Sequence, residues 1–374
     1  MSLEKWPKDE VMETSERNTG SHPLMPIIEK GILAPSGDNI QPWRFRLRPK
    51  GIDVFISPSS HAHFFEAGYR NLYISAGAVI ENMRVAGQQL GFKMNPQYFP
   101  DPKDETFVAS LDFEESRPEA HPHFAMLDKR VTNRKFYQDP GEFSSKPLPQ
   151  LTPEFLQDRC RLVWIKRNDR KYEKLSRIMG EADGLRFESQ RIHRELNAVI
   201  RLSDSEIRRT RDGLDLASFE MGLMGQLWFR LTSHWRVLRF FMKLGMGKLL
   251  SDYTAKQMKS SAAAGLMVTK SHSPQNYVVG GEAMARLWHE VTRQGLSLQP
   301  MEAIPVFLIG IHFGEGNSFS EKHLKKMEAI KKEYFSIFEM TEDNASILLF
   351  RVGRAKPPSS RSLRRPVESF IVRP

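Results

Sequence analysis

Two arginines four residues apart, Arg130 and Arg134, lie in the run Asp128-Lys129-Arg130-Val131-Thr132-Asn133-Arg134-Lys135-Phe136. At a helix start they would share a face, and planar guanidinium groups so placed can fork onto a dianionic phosphate. Taken alone, the pair also suits the cap of a surface helix with Asp128 as a neighbour. A second arginine group, Arg361, Arg364 and Arg365, comes late in the sequence and could add a third charge. Ser36 and Asn39 stand in the turn-forming stretch 35–42, where hydroxyl and amide side chains accompany an exposed backbone. Two His-x-His pairs, His61/His63 and His121/His123, would each share a face if extended, which suits a metal. No nearby cysteine or paired acidic pattern accompanies them, so no metal site is expected. A single cysteine, Cys160, can form neither a disulfide within this sequence nor a multi-cysteine zinc or iron–sulfur site.

These residues need elements to position them. A short helix is expected over 25–33, ended by Pro35, which disfavours helical geometry in Ala34. Residues 43–47 and 52–56 alternate apolar and polar about Pro49-Lys50-Gly51 and read as a hairpin. In 71–90, Leu72, Ala76, Val79, Met83, Ala86 and Leu90 recur at three- and four-residue intervals, while Ile74, Ala78 and Val85 occupy the other side. A helix apolar nearly all round belongs at the centre of a fold, and Gly91 supplies its stop. Further strands are expected at 107–113, 161–165, 265–268, 305–311 and 347–352, and helices at 280–294 and 321–335. A long charged helical region separates 165 from 265. Strands alternating with helices predict an α+β fold, an α/β sandwich. The central helix of each half ends in a glycine-apolar pair, Gly91-Phe92 and Gly295-Leu296, an echo that suggests duplication.

Composition bounds the rest. The 374 residues are 40% hydrophobic and 27% charged, enough for a substantial core and too apolar for wholesale disorder. Neither a secretory leader nor an apolar run of spanning length is visible, which reads as a cytoplasmic protein. The net charge of +10 suits nucleic acid, an anionic membrane or a phosphorylated cofactor. The charge is spread along the chain, and no zinc-finger spacing, glycine-lysine phosphate loop or RNA-recognition signature accompanies it, so nucleic acid is not an expected partner.

The stretch Ala34-Pro35-Ser36-Gly37-Asp38-Asn39-Ile40-Gln41-Pro42-Trp43 closely resembles the A-P-S-x-x-N-x-Q-P-W segment of the nitroreductase family. Three other segments are similar to the same family. They are Gly280-Gly281-Glu282-Ala283 through Gln299-Pro300, the Arg351–Gly353 strand with the Arg361-Ser362-Leu363-Arg364-Arg365-Pro366 tail, and the Arg130–Phe136 element. The arginine element ordinarily opens such a chain, whereas here it follows the A-P-S segment by about a hundred residues. The resemblance, closest to the fused Acg-type branch, implies two unequal lobes forming an internal pseudo-dimer. Their extents would be 25–120 and 121–374, after a mobile tail at 1–24 and with a lid-like insertion at 217–264. One FMN would sit between the lobes, with its phosphate on Arg130, Thr132 and Arg134 and a further arginine from Arg361 or Arg364. Pro35, Ser36, Asn39 and Gln41 would meet the ribityl chain or the ring, and Leu296, Pro300, Met301 and Glu302 would lie near its reactive edge.

The implied activity is hydride transfer from NADH or NADPH through FMN to an electron-poor small molecule, a nitro compound or quinone, with no catalytic side chain beyond the flavin. The same resemblance admits a protein that stores FMN with little turnover, or a heterocycle oxidase or dehydrogenase. The chain is expected as a monomer or a homodimer. The insertion carries a broken apolar stripe, Leu227, Leu231, Val237, Phe241 and Leu244, interleaved with Arg230, Arg236, Arg239, Lys243 and Lys248. It reads as an amphipathic lid, or as a surface for peripheral contact with an anionic membrane.

Overall fold

A computed structural model describes residues 22–58, 68–138, 147–156, 160–314 and 319–372. The pair His61/His63 and nearly all of the N-terminal tail lie outside these residues. Within them Leu24 is buried.

In the first lobe, helix α1 (Met25–Gly31) leads through the Ser36–Gln41 turn into strands β1 (Trp43–Arg48) and β2 (Gly51–Ile56). Helix α2 (Arg70–Leu90), strands β3 (Phe92–Tyr98) and β4 (Phe107–Glu115) and helix α3 (Phe124–Lys129) follow. The four strands form an antiparallel sheet in the order β1-β2-β4-β3. Alternation decides which side chains enter the core: Ile52, Val54 and Ile56 do, while Asp53, buried on the other face, pairs with Arg46 and Arg48 at 2.8 and 2.7 Å.

In the second lobe, β5 (Cys160–Lys166) is followed by helices α4 (Arg170–Arg186), α5 (Gln190–Val199), α6 (Asp204–Thr210), α7 (Gly222–Thr232), α8 (Trp235–Lys243) and α9 (Met246–Lys259). Then come β6 (Ala263–Thr269), α10 (Pro274–Arg293), β7 (Ser297–Pro300), α11 (Ala303–His312), α12 (Glu321–Phe338) and β8 (Ala345–Gly353). The sheet order is β5-β6-β8-β7, again antiparallel throughout. This is the order of the first sheet, with β5, β6, β7 and β8 standing for β1, β2, β3 and β4. Even the irregularity repeats, since a one-residue bulge interrupts β2–β4 at Val108 and β6–β8 at Ile347.

The expected strand at 305–311 is instead helix α11. A short apolar run does not distinguish a strand from a buried helix, and Pro305 falls in the first helical turn, where its missing N–H costs nothing. Strands β3 and β7 went unforeseen because proline and polar residues break their alternation.

The central helices α2 and α10 cross at two glycines in equivalent positions. A Cβ on Gly77 would lie 1.9 Å from the Val278 carbonyl oxygen, and one on Gly281 would lie 2.1 Å from that of Ile74. Each glycine thus meets the backbone of the other helix one turn before its glycine, a reciprocal contact of two-fold character. Both helices close on left-handed glycines, Gly91 and Gly295. Flanking the crossing, Arg286 donates to Glu81 at 2.7 Å and Arg84 approaches Glu282 at 3.3 Å.

One hydrophobic core fills the space around these helices. A second lies on the outer face of the second sheet, beneath α4, α11 and α12, so β6 and β8 are buried along their whole length. The C-terminal arm then returns to the first lobe, where Val372 donates to the Phe45 carbonyl at 2.8 Å and Phe370 packs on Trp43.

Candidate functional site

The Ser36–Gln41 turn holds three non-glycine residues in left-handed conformations, Asp38, Asn39 and Gln41, with φ of 45°, 57° and 54°. Each costs on the order of 1 kcal/mol or more, so the surroundings must impose them. They do so through side-chain hydrogen bonds. The Gln41 N–H donates to Ser36 Oγ at 3.1 Å, while its Nε2 donates to the Asn39 and Arg211 carbonyls at 3.2 and 2.9 Å. Asn39 Nδ2 donates to the carbonyls of Gly213 and Leu363 at 3.2 and 3.1 Å. The Arg365 N–H donates to Gln41 Oε1 at 2.9 Å. Two segments of the second half, 211–213 and 363–365, therefore clamp a turn of the first. Asn39 and Gln41 commit both ends of their amides to this clamp. Pro35 and Ser36 are half-buried beside it.

Guanidinium groups gather around the same turn. Arg364 donates from Nε to the Ile32 carbonyl at 2.9 Å, from Nη1 to Asn39 Oδ1 at 2.8 Å, and from Nη2 to the Ala34 carbonyl at 2.9 Å. Arg130 donates to the Leu33 carbonyl at 3.0 Å and lies 4.7 Å from the Trp288 ring, its Nε buried without a partner. Arg361, exposed, donates to the Arg130 carbonyl at 2.7 Å. Among the described residues no carboxylate forms an ion pair with Arg130, Arg361 or Arg364. Burial, then repulsion from Arg364 and Arg361, drives the Arg130 pKa well below its ordinary value. Burial and Arg361 bring that of Arg364 down to about 10, still charged at neutral pH. Carbonyl dipoles hold these cations without neutralising them, which leaves a local excess of positive charge that suits an anion.

Arg134 has partners of its own. It donates to the Ser218 carbonyl at 3.2 Å and lies 5.3 Å from the Phe219 ring, within the field of Asp38 and Asp215. The expected helix start that would align it with Arg130 is not formed. Arg130 caps the C-terminal end of α3, and the chain then runs extended. Thr132 forms a parallel bridge with Leu298, and the Asn133 N–H donates to the Leu298 carbonyl at 3.1 Å. Sheet pairing with β7 thus replaces helix, and the two guanidinium groups take different partners, the Leu33 and Ser218 carbonyls. The pair His121/His123 is also not extended: it forms a turn in which the His123 N–H donates to His121 Nδ1 at 3.1 Å.

The residues from 296 to 302 separate along β7. Leu296 is buried, and Leu298 abuts the arginine element. Half-buried Pro300 pairs with Phe350, and Met301 packs into the second core. Glu302 lies beyond the strand, accepting from the Leu349 N–H at 2.9 Å and from Arg70 at 3.3 Å. Its carboxyl pKa is raised by burial, against the opposing pull of Arg70.

Two buried arginines were not among the expected site residues. Arg351 donates to Gln299 Oε1 and to the Lys135 carbonyl, both at 2.7 Å, and so pins the segment bearing Arg130 to the sheet. Its signal was a charge inside the apolar run of β8. Arg70 donates to the Ser346 and Ile347 carbonyls, for which no local pattern gave warning. A groove of about 830 Å³ between α4 and the α8–α9 helices, with Arg177, Phe187, Trp235 and Asp252 in its walls, includes none of the site residues singled out above.

No family model matches the chain. An uncharacterised protein of Mycobacterium tuberculosis is 23% identical over 356 residues, 91% of this chain and 47% of its own length. Two proteins of the same organism, both provisionally named NAD(P)H nitroreductases, match shorter parts. One is 29% identical over 30% of this chain and 33% of its own length, and the other, acg, is 30% identical over 23% and 26%. The chain thus spans about half the length of the first relative and a third or less of the others. It is similar to nitroreductase-named proteins, and its mixed helix-and-sheet fold is consistent with theirs. Among the described residues no helix is long and apolar enough to cross a membrane.

Proposed function

We propose that this chain is an FMN-dependent oxidoreductase of nitroreductase type, built as an internal pseudo-dimer, which uses NADH or NADPH to reduce an electron-poor small molecule such as a nitro compound or quinone. The observation that carries the reading is the cluster of Arg130, Arg361 and Arg364. These cations, unpaired with any described carboxylate, surround a strained turn at the meeting of the two lobes. The unpartnered, buried Nε of Arg130 is a donor that a phosphate oxygen would satisfy.

When bound, FMN supplies the two-electron chemistry between nicotinamide and acceptor. The protein's part is to bind and orient it. Arg130, Arg361 and Arg364 would hold the phosphate, Arg351 fixes the strand segment that carries Arg130, and the 211–213 and 363–365 clamp keeps the turn in place. Ser36 Oγ, which accepts from the Gln41 N–H, retains its own hydrogen for a ligand acceptor. Repetition of sheet order, of bulge position and of the glycine crossing supports the pseudo-dimer. Arg134, whose guanidinium is engaged by the Ser218 carbonyl and the Phe219 ring, would shape the site more than hold the phosphate.

The test is the absorption spectrum of the purified chain, with released flavin quantified after denaturation. The expected result is about one FMN per chain, because only one turn carries the A-P-S-x-x-N sequence. A colourless chain that takes up no added FMN would overturn the reading. Oxidation of NADH or NADPH with a nitroaromatic or a quinone then separates an enzyme from a flavin store.

A further inference from the structure

Helices α7, α8 and α9 bear most of the large exposed apolar side chains described in this molecule. Leu223 is 86% exposed, Met224 77%, Leu244 68% and Leu249 70%, accompanied by Leu227, Leu231 and Phe240. No residue of α7 is buried. Leu223, Leu227 and Leu231 are four residues apart and form one stripe along it. The opposite side of the hairpin is anchored. Trp228 stacks edge-on to Phe241 at 4.5 Å, Phe229 lies on Phe219, and Trp235 lies on His193. Leu238 is buried at the base of α8, and His193 Nε2 lies 3.0 Å from the Thr232 carbonyl oxygen. The stripe is therefore held outward by a fixed base.

Its charge is of one sign. From Met221 to Ser251 the sequence contains no Asp or Glu, but carries Arg230, Arg236, Arg239, Lys243 and Lys248, all exposed. Lys248 pairs with Asp252 at 2.7 Å, and among the described residues no carboxylate forms an ion pair with the other four.

We propose that this hairpin lies on the surface of an anionic membrane, with the leucine stripe in the interfacial region and the flanking cations on lipid phosphates. The proposal goes beyond the oxidoreductase reading and does not depend on it. Apolar side chains flanked by uncompensated cations are the pattern of helices that lie in the membrane plane. Helix length excludes a crossing, because the 11 residues of α7 reach about 16 Å against a hydrocarbon thickness of about 30 Å. A second copy of this chain fits less well, since a two-fold contact through this face would press its cations against their own kind. Nucleic acid would satisfy the cations and leave the leucines in water.

The experiment is flotation of the purified full chain with phosphatidylcholine vesicles, alone or mixed with phosphatidylglycerol. Expected is binding to the anionic vesicles that weakens as salt rises, with little binding to phosphatidylcholine alone. Replacing three cations together (Arg236→Gln, Arg239→Gln, Lys243→Gln) should weaken binding about a hundredfold. The triple Leu223→Ser, Leu227→Ser, Leu231→Ser should abolish it, and the single Leu223→Ser, which leaves the rest of the hairpin untouched, should reduce it measurably. Failure of the unaltered chain to float would overturn the proposal. So would binding that survives both triple variants, or a stable dimer in light scattering that these same leucine substitutions dissociate while vesicles remain unbound.

Discussion

The two four-stranded sheets share a strand order and differ in what joins their strands. Between β1 and β2 the first lobe has a two-residue hairpin turn, whereas between β5 and β6 the second accommodates six helices, α4 to α9. An eight-residue loop joins β3 to β4, and α11 and α12 join β7 to β8. Neither insertion disturbs the sheet, because each begins and ends at neighbouring antiparallel strand ends, which pair whatever the length between them. The consequence is chemical as well as architectural. The first lobe presents a bare strained turn, and the second supplies the segments that clamp it, 211–213 from one insertion and 363–365 from the arm that follows β8.

The sharpest way to break this equivalence is at the helix crossing. Gly77→Leu and Gly281→Leu should each prevent folding, because the Cβ alone would sit within 2.1 Å or less of a backbone oxygen. Gly77→Ala and Gly281→Ala should each cost at least 3 kcal/mol, roughly the scale of severe overpacking. Thermal melts would give the costs. If the crossing has two-fold character the two alanine variants should match within about 1 kcal/mol, and a tolerated alanine at either glycine would refute the contact.

A second comparison sets Arg130 against Arg134. Loss of a charge-assisted bond to phosphate is worth about 1.5–3 kcal/mol, so Arg130→Gln should weaken FMN binding on the order of ten- to a hundredfold. Arg134→Gln should do less, because its guanidinium is directed to the Ser218 carbonyl and the Phe219 ring. Flavin titration by fluorescence quenching measures both, and equal losses would restore Arg134 to the phosphate site.

How far the fold was legible follows from the same contrasts. Helix α2 could be read because its apolar residues surround it, and Gly91 and Gly295 marked the ends of both central helices. The A-P-S-x-x-N turn and the late arginines were legible as a motif, yet their contacts were not: Arg364 reaches Asn39 across more than three hundred residues. Arg130 and Arg134 misled because four-residue spacing implies a shared face only in a helix, and a bridge to Leu298 imposes extended backbone there. Helix α11 misled for the opposite reason, its apolar run giving no period at all.

Protonation offers a smaller effect, confined to one lobe. His272 stands just before the N-terminus of α10, where the first lobe has Gly68 before α2. It stacks on His312 at 4.2 Å, and its Nδ1 lies 2.8 Å from the Tyr277 hydroxyl. Burial, with repulsion from His312 and Arg70, lowers its pKa from 6.5 to about 4. The unfolded chain therefore binds the proton more readily. The native state keeps this contribution in full above the unfolded pKa and loses it as pH falls from 6.5 toward about 4. His272→Gln should flatten that part of the stability curve, as followed by urea unfolding across the window, and an unchanged slope would show that His272 does not contribute to it.

The smallest expected effect separates the inner and outer sides of the second lobe's insertion. Leu266, in β6 beneath α4, is fully buried, and Leu266→Ala should cost about 2–5 kcal/mol through lost burial and the cavity left behind. Leu223, at 86% exposure, has little to lose on folding, so Leu223→Ser should change stability by no more than about 0.5 kcal/mol. Urea midpoints at one pH compare the two directly. A large loss at Leu223 would mean that α7 is covered in solution, by another copy or another part of a longer chain, and that its leucines serve packing. A negligible loss leaves the stripe without a structural reason inside this molecule, since an apolar face of this extent adds nothing to folding while it stays in water.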